Sequence, residues 1–71
     1  MKHPPIVEVV WDDHSWAREL SKARLVRRHT VGFLVADTKK VLKVASTVDR
    51  HSVDEVTTIG KTMVVKVRHL R

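Results

Sequence analysis

The chain has 71 residues, and its 14 Lys and Arg outnumber 8 Asp and Glu, giving a net charge of +6 with His neutral. That length allows one small domain over residues 1–71 and leaves no room for a second. The absence of cysteine excludes disulfides and Cys-ligated zinc, and apolar runs of at most four residues exclude a membrane span or signal-peptide core. A cytoplasmic protein is therefore expected. A core this small buries only roughly 60% of the unfolded surface, so homo-oligomerisation is the expected route to added stability.

The chain contains 14 Val, 2 Ile and 6 Thr, so close to a third of it is β-branched and suited to a pleated, half-buried surface. Apolar residues repeat with period two. Pro4-Pro5 cannot donate to a ladder and marks the start of a first strand, with Val7, Val9 and Trp11 on one face. The stretch from Trp11 to Ala23 lacks strand character. Asp13 or Ser15 there is placed to cap a short helix through Trp16-Ala17-Arg18-Glu19-Leu20.

A second strand puts Val31, Phe33 and Val35 on its core face, and Asp37-Thr38-Lys39-Lys40 forms a tight hairpin into a third. The third strand turns Leu42, Val44 and Val48 inward. Asp49 to Glu55 reads as a polar loop and Val56 to Ile59 as a short strand. Gly60-Lys61 reads as a turn in which glycine supplies a positive φ, and a last strand turns Val65 and Val67 inward after Met63. Five strands with tight turns and one short helix predict a mostly β fold, a small SH3-like or Sm-like barrel, because closure removes exposed edges.

Charge is unevenly distributed. Residues 1–21 sum to −2, residues 22–43 to +6, residues 44–60 to −2 and residues 61–71 to +4. The densest cluster is Lys22-Ala23-Arg24-Leu25-Val26-Arg27-Arg28-His29. Guanidinium groups offer planar forks of donors that match phosphate oxygens two at a time, so this cluster is a candidate anion site. The alternative is a solvated strand face that blunts an edge. With only Trp11, Trp16 and Phe33 as aromatics, a long stacking track for single strands is poorly supplied.

Trp11-Asp12-Asp13-His14-Ser15-Trp16 is the other distinctive run. Its residues suit either a structural corner, with Trp11 ending a core face, or a site in which Trp16 stacks on a base and His14 and Asp13 meet ribose hydroxyls or an amine. Catalysis is not expected. Adjacent Asp, His and Ser cannot converge as a nucleophilic triad, the histidines have no metal-ligand spacing, and two glycines exclude a phosphate loop. No cofactor and no metal are expected.

The order Val-Glu-Val-x-Trp-Asp-Asp-His-Ser at residues 7–15, Val-Gly-Phe-Leu-Val at 31–35 and Lys-Val-Leu-Lys-Val-Ala at 40–45 resembles a group of short tailed-phage proteins. Members of that group often end in Ile-Pro, a short turn and a basic-apolar strand. Here Ile59-Gly60-Lys61 and Val65-Lys66-Val67-Arg68-His69-Leu70 stand in those places, with Gly60 where proline is usual. The resemblance implies a phage origin and a small barrel, and it transfers no residue role. Small basic homo-oligomers of phages are similar in design to proteins that capture nucleotide signals of bacterial defence.

The leading expectation is thus a non-enzymatic homo-oligomer that binds an anionic nucleotide-type ligand. Arg24, Arg27, Arg28, Lys43 and Arg68 would contact phosphate, and Trp16, His14 and Asp13 the base and ribose. The alternatives are an Sm-like RNA- or DNA-binding barrel and an interaction module that disables a host protein.

Overall fold

A computed structural model describes residues 4–13 and 26–71, and all of the described strands belong to one antiparallel sheet. The strands are β1 (Ile6–Asp13), β2 (Val26–Asp37), β3 (Val41–Val48), β4 (Val53–Gly60) and β5 (Val64–His69). A 3-10 turn, Lys61–Met63, joins the last two. The spatial order is β4-β3-β2-β1-β5. The mostly β class expected from the valine content holds. The sheet is open, however, with β4 and β5 as its two outer strands, so the expected closed barrel is replaced by an open five-stranded sheet. Among the described residues the helical element is that 3-10 turn. The helix expected at Trp16–Leu20 lies outside them.

β1 is an interior strand that pairs on both sides, with β2 and β5. Its alternation is regular: Val7, Val9, Trp11 and Asp13 are buried, while the residues between them are half-buried. Val7, Val9 and Trp11 form one core cluster with Leu42 and Val44 of β3 and Ile59 of β4, and Leu34, Met63, Val64 and Val67 pack against it. In a flat sheet β4 would stand roughly 14 Å from β1, three strand spacings away, beyond side-chain reach. The sheet therefore curls so that its two wings meet over β1.

Gly32 lies where β2 and β3 draw together. A Cβ there would overlap the carbonyl oxygen of Ala45 and stand 2.9 Å from Val44 Cγ1. We expect Gly32→Ala to destabilise the fold by about 1–3 kcal/mol through overpacking, measured as a lower midpoint in urea; an unchanged midpoint would show that β3 yields easily.

Two strand phases differ from the sequence expectation. On β2 the inward residues are those opposite Val7 and Val9, namely Gly32 and Thr30, followed by Leu34. Phe33 pairs with Ile6 and Val31 with Glu8, so both face outward, and Val31 is 56% exposed. The core face accepts the polar Thr30 because its Oγ1 takes the hydrogen bond donated by Trp11 Nε1, at 2.9 Å. On β5 the ladder slips between Val10 and Trp11, whose partners are Lys66 and Val64. That bulge turns Val64 and Val67 inward and leaves Val65 49% exposed.

The turns follow their side chains. Thr38 Oγ1 accepts the N–H groups of Lys40 and Val41, and Thr38 N–H donates to the Val41 carbonyl, closing the β2–β3 hairpin. Asp49 accepts from the backbone N–H groups of His51 and Ser52 and from the Ser52 hydroxyl. Those bonds hold its carboxyl below the ordinary Asp value, so this turn is firm at neutral pH and loosens as pH falls through the lowered value. The polar loop is shorter than expected, since Val53, Asp54 and Glu55 already belong to β4. Gly60 has φ −64° and does not use a glycine conformation. The positive φ falls instead on Glu55, at 54°.

Candidate anion-binding face

The outward residues of β5, β1 and β2 share one face. Cross-strand register places Arg68, Glu8 and Val31 in one row, Lys66, Val10 and His29 in the next, and Asp12 beside Arg27 in a third. Neighbouring strands are about 4.8 Å apart and alternate residues of one strand about 6.7 Å apart, so the three rows span roughly 10 by 13 Å. Val10 is the apolar centre of this area, with Lys66 and His29 on its two sides, Arg68 and Arg27 at opposite corners, and Val31 at a third corner.

Each arginine on the face is held by a carboxylate of β1. Arg27 Nε and Nη2 donate to Asp12 Oδ1 and Oδ2 at 2.9 and 3.1 Å, a bidentate pair. The hydrogen bond to Asp12, and then its charge, raise the Arg27 pKa above the ordinary value. Arg68 Nη2 lies 3.1 Å from Glu8 Oε1, and His29 Nδ1 lies 3.4 Å from Glu8 Oε2. Arg27 and Arg68 nevertheless remain 58% and 62% exposed, while Asp12 and Glu8 lie deeper in the face. A guanidinium carries five N–H donors. The pairs occupy some of them and orient the rest toward solvent.

The other residues expected at a site are placed differently. Arg28 is paired with Trp11 in the register and so rises from the opposite face of β2. Its Nε donates to Asp13 Oδ2 at 2.7 Å, and Asp13 is only 8% exposed. Asp13 thus ends the inward face of β1 beside Trp11. Lys43 pairs with Ala36, seven residues along β2 from His29 and therefore roughly 23 Å away, and has no ion pair among the described residues. His14, Trp16 and Arg24 lie outside the described residues. The structure places Arg27 and Arg68 on one face, at opposite corners roughly 16 Å apart, adds His29 and Lys66, which sequence reasoning had not selected, and separates Arg28 and Lys43 from them.

Arg28 and Arg27 accordingly differ in expected role. Removing Arg28 deletes a charge-assisted bond to a nearly buried carboxylate, so Arg28→Ala should cost about 1 kcal/mol, which lowers the melting temperature of a domain this size by about 4–8 °C. Arg27→Ala, at an exposed pair, should leave the melting temperature almost unchanged. Equal melting temperatures for the two variants would contradict this assignment.

An apolar groove of about 630 Å³ opens at the other end of β1, lined by Pro4, Pro5, Ile6, Phe33, Val48 and Arg71. Its walls are tied together by bonds from Leu34 N–H to the Pro5 carbonyl and from Leu70 N–H to the Ile6 carbonyl. Ile6 and Asp12 are six residues apart, or roughly 20 Å, so Arg27 cannot reach a small molecule seated there. Among the described residues no three His, Asp or Glu are grouped to hold a metal ion. No helix of the described residues is long and apolar enough to cross a membrane.

Comparison with known proteins adds no name to these features: no protein family, no curated protein and no solved structure matches the chain.

Proposed function

We propose that the protein is a non-enzymatic binding protein for an anionic, nucleotide-type ligand, acting as a homo-oligomer in the cytoplasm. One observation carries this reading. Arg27 and Arg68 stand on either side of β1, each fixed from beneath by a carboxylate and each more than half exposed. A guanidinium already oriented by an ion pair loses less freedom when it meets a phosphate than a free one does. Val10, between Arg27 and Arg68, offers an apolar seat for a base or ribose. His29 and Lys66 complete the rim.

The apolar groove at the Ile6 end includes neither Arg27 nor Arg68. A second protomer would supply a wall beside them, which is why the oligomer belongs to the proposal. If the chain shares the origin of the tailed-phage proteins it resembles, a nucleotide signal of host antiviral defence is the ligand to test first.

The test is a titration with ATP, a cyclic dinucleotide and an oligothymidylate at about 50 and 200 mM salt. Capture of a nucleotide should saturate at a fixed ratio to protomer and raise the melting temperature by mass action. Binding confined to the oligothymidylate, falling by orders of magnitude with salt, would replace the reading with a nucleic-acid track. Binding of none of the three would overturn both readings and leave an interaction module for a host protein.

A further inference from the structure

The two outer strands carry opposite charge. β4 holds Asp54 and Glu55 and no Lys or Arg, whereas β5 holds Lys66, Arg68 and His69 and no Asp or Glu. Both present exposed valines, Val53 and Val56 on β4 and Val65 on β5. Among the described residues neither outer edge is paired, and no backbone hydrogen bond joins β4 to β5. An unpaired edge is a row of donors and acceptors that a strand from another chain can complete.

We propose that copies of this chain assemble head to tail, with β4 of one protomer pairing along β5 of the next. The charge pattern selects this arrangement over the symmetric ones. Two β4 edges would join two acidic strands with no Lys or Arg between them, and two β5 edges would join two basic strands with no Asp or Glu. Like charges directly opposite across a ladder destabilise it, while opposite charges support it. β4 holds one register against β3 across Glu55, with Ala45 opposite Val56 and Thr47 opposite Asp54, so all eight of its residues, the two acids included, are available for a ladder with the six residues of β5. A contact between two different edges has no internal two-fold axis, so it propagates until it closes into a ring or runs on as a filament.

This inference specifies the interface of the homo-oligomer proposed above and does not depend on which ligand it binds. It also accounts for the two edges that are unpaired among the described residues of a valine-rich chain: each is covered by a neighbour.

The experiment uses the full chain and two charge-reversed variants, Asp54→Lys with Glu55→Lys, and Val65→Glu with Lys66→Glu. All four positions are exposed, so the fold should survive, which a cooperative melt verifies. Native mass spectrometry and light scattering across a hundredfold range of concentration give the mass. We expect the unaltered chain to form assemblies larger than a dimer and each variant alone to need at least tenfold higher concentration to associate. An equimolar mixture of the two variants should reassemble, because the basic β4 of one then meets the acidic β5 of the other. A monomeric unaltered chain at every concentration would overturn the proposal, as would variants of which only one changes the mass. Nucleotide binding measured on the unaltered chain, whose binding face is intact, separates the two readings. A monomer that binds ATP refutes the edge pairing alone, and an assembly that binds nothing refutes the ligand alone.

Discussion

Val44→Asp should abolish folding. Val44 is 2% exposed and belongs to the cluster that joins β1, β3 and β4. A carboxylate there would lose its hydration and gain no partner among Val7, Val9, Leu42 and Ile59, at a cost of several kcal/mol. A domain of this length has a total stability of only roughly 4–10 kcal/mol, so the cost is comparable to everything holding the chain together. The expected result is loss of the cooperative thermal transition and collapse of amide-signal dispersion. Val44→Ala, which removes volume and adds no charge, should cost about 2–3 kcal/mol and leave a foldable protein. A soluble, cooperatively folding Val44→Asp protein would mean that β3 does not face the core as described.

The second large effect concerns binding. Arg27→Ala together with Arg68→Ala should weaken nucleotide binding by on the order of a hundredfold, about tenfold for each guanidinium, while the melting temperature stays nearly constant. The loss has two sources. Each substitution removes charge-assisted donors to phosphate, and it leaves the negative charge of Asp12 or Glu8 on the face. Both arginines are more than half exposed, so little stability depends on them. Isothermal titration with ATP reads the affinity, and thermal melting of the same samples reads the fold. Unchanged affinity would remove both residues from the site. The pair Arg27 and Arg28 is a poorer test, because Arg28 supports Asp13 at the end of the buried face.

The strands that were legible in the sequence are those whose core faces are apolar without exception. β1 is read correctly from Val7, Val9 and Trp11, and the first part of β3 from Leu42 and Val44. β2 misleads because its outward Val31 and Phe33 are more apolar than its inward Thr30 and Gly32. Thr30 is inside to meet the Trp11 indole, and Gly32 is inside because β3 comes too close for a side chain. Both reasons are tertiary, and hydrophobicity along one strand does not contain them. β5 misleads for another reason: one extra residue in a bulge reverses the alternation beyond it.

The charged face was half legible. The basic blocks around Arg27 and Arg68 do approach each other, and they do so through β1. The sequence also contained the signal that those arginines are paired. Asp12-Asp13 closes the first strand and Arg27-Arg28 opens the second, so an antiparallel hairpin sets acid against base. What composition could not reveal is that consecutive arginines on a strand point to opposite sides, which divides one cluster into an exposed donor and a structural tie.

Amide chemical-shift mapping of the full chain during titration with ATP shows whether an anion settles on the β5-β1-β2 face between Arg27 and Arg68. We expect saturable shifts at Arg27, His29, Val31, Val10, Lys66 and Arg68, with little change around Phe33 and Val48. Shifts confined to the groove of Pro5, Phe33 and Val48, or none at saturating nucleotide, would contradict it.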